Sequence, residues 1–350
     1  MLNRILVPLD KSALAEGVLP HALAISRAFD ATVTFVHVID QGGPTGEAKV
    51  DPLNWHMLKA EAQSYLQGIS SQWPATDHLA EAALLEGAAA ERILAYAGEQ
   101  DCDLIILSSH GRSGLSEWNI STVVQKIIMR AFRSVMIVRA AAAPPPTWKG
   151  EEAIFTPLAR GIAPPADSIL PAHYERILVP LDGSRRAESV LPIIQKLIEA
   201  NGLEVILAHI VYSPVLFRHP PTPEDTALVE EFVQRNLREA TDYLDQICER
   251  LGPCVKRHIE VSESPADTLI NLTRDTRADL VLLSAHGRTA AHHYPYGNLV
   301  TGLINYSNAP LLIYQDLPRD PSYLLPGDTA PGGDSYLPPG RGPGRLATDD

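Results

Sequence analysis

Arg4-Ile5-Leu6-Val7-Pro8-Leu9-Asp10 returns unchanged at Arg176-Ile177-Leu178-Val179-Pro180-Leu181-Asp182. The likeness runs on, because Ala15-Glu16-Gly17-Val18-Leu19-Pro20 answers to Ala187-Glu188-Ser189-Val190-Leu191-Pro192. Identity over such a stretch marks a tandem duplication. Each copy reads as a short apolar strand that ends at an aspartate. Ser12 or Ser184 follows two residues later and suits a helix N-cap. A carboxylate just past a buried parallel strand stands where open α/β sheets bind ligands. The same position also suits a carboxylate that helps to cap the next helix, and both readings stay open.

Working outward, a helical pattern covers about 12–29, with Pro20 inside it as a kink or break. Pro192 repeats that feature in the second copy. Ala31–Asp40 and Leu203–Tyr212 read as second strands. Their His37 and His209 have β-branched and aliphatic neighbours, which suits packed, hydrogen-bonded core residues. Helices follow at roughly Asn54–Gln72 and Glu224–Leu251, then strands near Leu79–Leu85 and Val255–Val261. Ser264, Pro265 and Asp267 have the makings of an N-cap, an N1 proline and a capping-box acid. The fourth strands, Asp103–Leu107 and Asp279–Leu283, are continuous apolar runs of the kind buried on both faces. Last come Val135–Val138 and Leu311–Ile313. Strands alternating with helices imply parallel sheets with right-handed crossovers.

The bulk numbers agree with two domains: 350 residues against ~150 per domain. A formal net charge of -13 and a pI of about 5.4 argue against nucleic acid and against a polybasic membrane anchor. No apolar run approaches the ~20 residues of a spanning helix, and Pro8 and Asp10 interrupt any signal-peptide core. Cys102, Cys248 and Cys254 make a disulfide framework improbable, so a reducing cytoplasm is the expected compartment. Residues 141–173 read as a Pro-rich linker and 317–350 as a Pro/Gly-rich disordered tail. The two repeats thus occupy 1–140 and 174–316.

The loops after the fourth strands carry the chemistry. They read Ser108-Ser109-His110-Gly111-Arg112-Ser113-Gly114 and Ser284-Ala285-His286-Gly287-Arg288-Thr289-Ala290. Downstream, Ser121-Thr122 and Gly297-Asn298 open the last helices. Small residues let backbone N–H groups approach an anion, and a helix N-terminus adds partial positive charge. Asp10 or Asp182 on the neighbouring strand could accept from ribose hydroxyls. Arg112 and Arg288 suit either a phosphate contact or a surface ion pair. Tyr294, Pro295 and Tyr296 suit either a cover over the ligand or packing against the other half. His286, His292 and His293 lack the regular spacing of a metal site.

At these residues both halves resemble the universal stress protein family. The family's nucleotide-binding members carry G-x2-G-x9-G followed by Ser, Thr or Asn after a hydrophobic fourth strand. Here the copies read Ser108-x2-Gly111-x9-Ser121-Thr122 and Ser284-x2-Gly287-x9-Gly297-Asn298. The resemblance implies two tandem, doubly wound, five-stranded parallel-sheet domains, Rossmann-like and similar to the adenine nucleotide alpha hydrolases. It implies pairing of two such domains, which a tandem chain can achieve within itself, with a further homodimer left open. By position, Asp10 and Asp182 would contact adenine and ribose, and Val38 and Ile210 would offer backbone to the base. Ser108, His110 and Gly111, and Ser284, His286 and Gly287, would wrap ribose and phosphates. Ser121-Thr122 and Gly297-Asn298 would hold the phosphate tail.

The departures set an order between the halves. The first motif glycine is serine in both copies, and the third is Ser121 in the first copy. Were those positions to demand φ > 0, each serine would cost ~1 kcal/mol or more. The second copy keeps two of the three glycines and is therefore the preferred site. The expected function is non-enzymatic binding of an adenine nucleotide, ATP with AMP or ADP as alternatives, with Mg2+ as an optional companion, in a stress or signalling role. The alternatives are a nucleotide-free interaction module and a slow ATPase. Against the last, no G-x-x-x-x-G-K-[ST] loop or G-x-S-x-G elbow occurs.

Overall fold

Arg4–Pro8 forms β1, and its alternating side chains supply both faces of the sheet. Ile5 and Val7 enter one hydrophobic core and Leu6 the other, the period-2 alternation of a strand covered on both sides. In the second half, Ile177 and Val179 do the same against Leu178. The computed structural model describes residues 2–40, 52–74, 80–111, 120–139, 169–216, 222–288 and 296–317.

The first half continues with α1 (Ala13–Glu16), α2 (Leu19–Phe29), β2 (Thr32–Ile39), α3 (Pro52–Gln72), β3 (Ala80–Glu86), α4 (Ala89–Glu99), β4 (Leu104–Ser108), α5 (Thr122–Ile128) and β5 (Ser134–Val138). The second half gives β6 (Arg176–Pro180), a 3-10 turn (Ala187–Val190), α6 (Leu191–Asn201), β7 (Glu204–Tyr212), α7 (Pro223–Leu251), β8 (Val255–Ser262), α8 (Pro265–Asp275), β9 (Leu280–Ser284), α9 (Asn298–Tyr306) and β10 (Leu311–Tyr314). The break expected near Pro20 falls just before it, and Pro20 itself sits in the first turn of α2. That is where a missing N–H costs nothing. One local reading needs correcting: Ser264 does not cap α8 in the usual way. Its hydroxyl donates instead to Asp267 Oδ2 at 2.6 Å.

The strands form one sheet in the order β3-β2-β1-β4-β5-β10-β9-β6-β7-β8. Pairing is parallel except at the centre, where β10 runs antiparallel to β5 with Leu311 opposite Ile137 and Ile313 opposite Val135. The two halves therefore share a sheet, and each covers an apolar strand edge that the other would leave open. Asp103 Oδ2 accepts from the N–H groups of Asn3 and Arg4, at 2.7 and 2.9 Å. Asp279 does the same for Glu175 and Arg176, so each fourth strand is pinned to the start of the first.

The chain re-enters the described structure at Ile169 and lies along α2. Ala172 N–H donates to Pro20 O at 2.8 Å, and Tyr174 Oη lies 2.8 Å from His21 Nδ1. Burial pushes the His21 pKa down to about 4, which keeps this contact neutral. The greater part of the expected linker (141–168) and nearly all of the expected tail (318–350) lie outside the described residues.

Within each half the strand order reverses between the first and fourth strands, at β1/β4 and β6/β9. A doubly wound sheet opens a crevice at the carboxyl ends of such a pair. Asp10 and Asp182 close one side of it, and the SxHG segments close the other.

Candidate functional site

The two sides touch. A Cβ built on Gly111 would sit 2.1 Å from Asp10 Oδ2, and one on Gly287 would sit 2.3 Å from Asp182 Oδ2. Neither glycine has positive φ, so glycine is required here by the carboxylate pressed against it, not by backbone conformation. In the second half the carboxylate bridges two loops. Asp182 Oδ1 accepts from Ser184 N–H at 2.9 Å, and Oδ2 accepts from Arg288 N–H at 2.6 Å. The Arg288 guanidinium reaches back to donate to Asp182 O. Burial alone would raise the Asp182 pKa, but the Ser184 and Arg288 hydrogen bonds outweigh it and hold the carboxyl below its usual range. In the first half Asp10 Oδ1 accepts from Ser12 N–H at 3.1 Å and from its hydroxyl at 2.5 Å. Both aspartates thus organise their loops, so the capping role and the crevice position coincide.

The second-half crevice is an open cleft of about 420 Å³, inside the ~300–1,000 Å³ range of small-molecule sites. All seven second-half residues that the family motif assigns to the nucleotide line it: Asp182 after β6, Ile210 on β7, Ser284, His286 and Gly287 after β9, and Gly297 with Asn298 at the start of α9. Arg288 is not among its lining residues. Apolar wall comes from Leu283, Val300 and, unforeseen, Pro265 and Leu269 of α8. The α8 contribution carries no motif signal, because it depends on how that helix packs over β7. Tyr296 also lines the cleft; it is 7% exposed, and its hydroxyl is buried without a partner among the described residues.

His37 is a buried, hydrogen-bonded residue, and His209 makes the same bond but is only half-buried. Their Nδ1 atoms lie 2.7 and 2.8 Å from Leu9 O and Leu181 O, fastening each second strand to the turn before its aspartate. His286 belongs to a network absent from the first half. Its Nδ1 lies 2.7 Å from Asp316 Oδ1, and Asp316 Oδ2 accepts from Arg186 Nε at 2.5 Å. Burial would raise the Asp316 pKa, yet the His286 and Arg186 contacts hold it low. The equivalent first-half positions are Leu14 and Ala140, and His110 Nδ1 instead lies 3.1 Å from Ser109 Oγ. No repeat pattern signals this network, because its members differ between the copies.

The expected conformational penalty of the motif serines does not arise. Ser121 has φ -72, ψ 157, and Gly297, its counterpart, has φ -75, ψ 167. Both are extended backbone open to any residue. Ser108 and Ser284 end strands and have no positive φ. What separates the copies is capping. Val124 N–H donates to Ser121 Oγ at 3.3 Å, so α5 is capped by its own chain. Gly297 has no side chain to offer, and among the described residues no side chain caps α9. First-turn N–H groups of a helix need an acceptor, and at α9 they border the cleft.

Val38 on β2 and Thr122 at the start of α5 occupy the equivalent first-half places, half-buried and exposed respectively. Residues 112–119 and 289–295, which hold Arg112, His292, His293, Tyr294 and Pro295, lie outside the described residues. Among the described residues, no cluster of three His, Cys, Asp or Glu side chains could hold a metal.

A universal stress protein family model matches residues 1–139 and 173–315. Among curated relatives, universal stress protein MJ0531 of Methanocaldococcus jannaschii is 27% identical over 145 residues, covering 40% of this chain and 83% of its own. YxiE of Bacillus subtilis is 27% identical over 149 residues, covering 40% of this chain and 100% of its own. Among solved structures, a universal stress protein from Archaeoglobus fulgidus superposes with a TM-score of 0.61 at 16% identity, covering 90% of this chain and 99% of that one. That likeness extends over both halves and concerns the fold alone.

Proposed function

This chain is a tandem member of the universal stress protein family, and from that premise we propose that its second half binds an adenine nucleotide in the β6/β9 cleft. ATP is the first candidate, with AMP and ADP as alternatives. The observation that carries this reading is the convergence of all seven second-half motif residues on one cleft of about 420 Å³. The residues suit the ligand. A helix start that no described side chain caps faces the cleft, where a phosphate can take the first-turn N–H groups. Leu269, Leu283 and Ile210 offer apolar surface for a base. With no metal-binding cluster among the described residues, a magnesium ion would arrive held by the phosphates.

The work of the site is binding, not turnover. A general base should have a pKa near the operating pH, whereas Asp182 is held below the carboxylate range with Ser184 and Arg288 N–H groups on its two oxygens. A bound nucleotide would instead favour one conformation of the cleft loops, and hence one partner surface. No helix among the described residues is long and apolar enough to cross a membrane, and the free thiols of Cys102, Cys248 and Cys254 suit a cytoplasmic setting. Native mass spectrometry of the full chain with ATP tests the proposal. One nucleotide mass per chain with no hydrolysed product supports it. A bare chain supports an interaction module, and accumulating ADP supports an ATPase.

Exchanging the caps should move affinity between the halves. Gly297→Ser would place a hydroxyl where Ser121 Oγ lies and let α9 cap itself. Side-chain caps are worth about 1 kcal/mol, so ATP affinity should fall by about fivefold with thermal stability held or raised. Calorimetric titration beside a melting curve checks this, and unchanged affinity would remove the phosphate from the helix start.

A further inference from the structure

The cleft's phosphate end is built on α9, yet the other end of that helix is held by the first half. Arg139 follows β5 and crosses the central antiparallel pair. Its Nε donates to Ser307 O at 2.7 Å, and its Nη2 donates to Leu303 O at 3.4 Å and to Ile304 O. All three carbonyls lie at the C-terminal end of α9, where partial negative charge collects. Leu303 O also accepts from the cap N–H of Ser307 at 2.9 Å, whereas Ile304 O lies in the last turn, where helix carbonyls run out of intrahelical donors. α9 has no basic residue in its own last turn, whereas α5 has Lys126. The arrangement is not reciprocal. Two residues beyond Ile313, as Arg139 is two beyond Ile137, stands the neutral Gln315. Burial pushes the Arg139 pKa down to about 10, so the clamp is still charged at neutral pH.

We propose that Arg139 is a positioning residue for the second half's cleft: by fixing the end of α9 it keeps the first-turn N–H groups aimed at the ligand. α9 has nine residues, about 13 Å at helical rise, and Val300, Leu303 and Ile304 anchor it in the core shared by both halves. A short rigid rod held at its far end cannot tilt without moving Gly297 and Asn298. The first half, whose own helix start is capped by Ser121, then completes its neighbour's site. This inference rests on the nucleotide reading for what the cleft holds, but not for the clamp itself.

Two measurements on the full chain test it. The first is calorimetric titration of the parent, Arg139→Ala and Arg139→Lys with ATP and, separately, with adenosine. Loss of alignment at the phosphate end should weaken ATP by about fivefold in Arg139→Ala, leave adenosine unchanged, and be partly restored by lysine. Equal weakening of both ligands, or of neither, overturns the proposal, since a purely structural role would not discriminate between them. The second is hydrogen exchange without ligand. Arg139→Ala should expose amides at both ends of α9 while those of α5 stay protected, and uniform loosening or no change overturns the clamp. If the parent binds neither ligand, the nucleotide reading fails and with it the role assigned to Arg139 in binding. The exchange pattern then still decides whether Arg139 holds α9.

Discussion

Gly287→Ala is expected to destabilise the full chain by about 1–3 kcal/mol, as overpacking commonly does, and to weaken ATP binding by more than tenfold. The new methyl would fall 2.3 Å from Asp182 Oδ2, so the carboxylate must leave its place. That movement breaks the bond from Arg288 N–H and shifts a residue that lines the cleft. Gly111→Ala should destabilise similarly, because its methyl would fall 2.1 Å from Asp10 Oδ2, but it should leave ATP affinity nearly unchanged. Gly68 and Gly98 serve as controls, since a Cβ on either meets nothing within 4 Å and alanine on a helix gains up to about 1 kcal/mol over glycine. A double-mutant cycle isolates the cause. In an Asp182→Ala background the Gly287→Ala penalty should shrink, as the clashing atom is gone. An undiminished penalty would mean that glycine serves some other purpose there.

Asp182→Asn should cost about 1.5–3 kcal/mol at neutral pH, the range for hydrogen bonds to a charged group. The amide can still accept from Ser184 N–H or from Arg288 N–H, but its nitrogen then points a donor at the other. The pH dependence follows from the direction of the shift. The folded-state pKa of Asp182 is depressed, so its stabilising contribution is present above the unfolded value of about 3.9 and is lost as pH falls through the folded value. The gap between parent and variant in chemical denaturation should therefore be widest near neutrality and close in strong acid. Asp316 is also depressed and remains in the variant, so Asp182→Asn should keep part of the acid slope. A gap that stays constant with pH would show that the carboxylate's charge contributes nothing.

The succession of elements, their parallel pairing within each half and the crevice were legible in the sequence, because they follow from a repeated strand and from helices that alternate with strands. The strand order itself was not read there. The motif spacing put Ser284, Gly287 and Gly297 on one site, since the loop after β9 and the start of α9 are adjacent in chain and in space. The purpose of the glycines was not legible. Gly287 answers to Asp182, more than a hundred residues away, and no local pattern reveals a contact of that range. Ser121 and Gly297 look like a conformational difference in the sequence, but the structure makes them a capping difference, because both backbones are extended. Arg139 and the Arg186–Asp316–His286 chain escaped notice for a related reason. A duplication draws attention to what the copies share, and these groups lie where they differ.

A crystal structure of the full chain grown with ATP and magnesium tests the central claim most directly. The account predicts one nucleotide per chain in the second half, its base beside Ile210 and its phosphates at the Gly297–Asn298 end of α9. Nucleotide seated against Ser121 in the first half with the second cleft empty, or no nucleotide at saturating ATP, would contradict it.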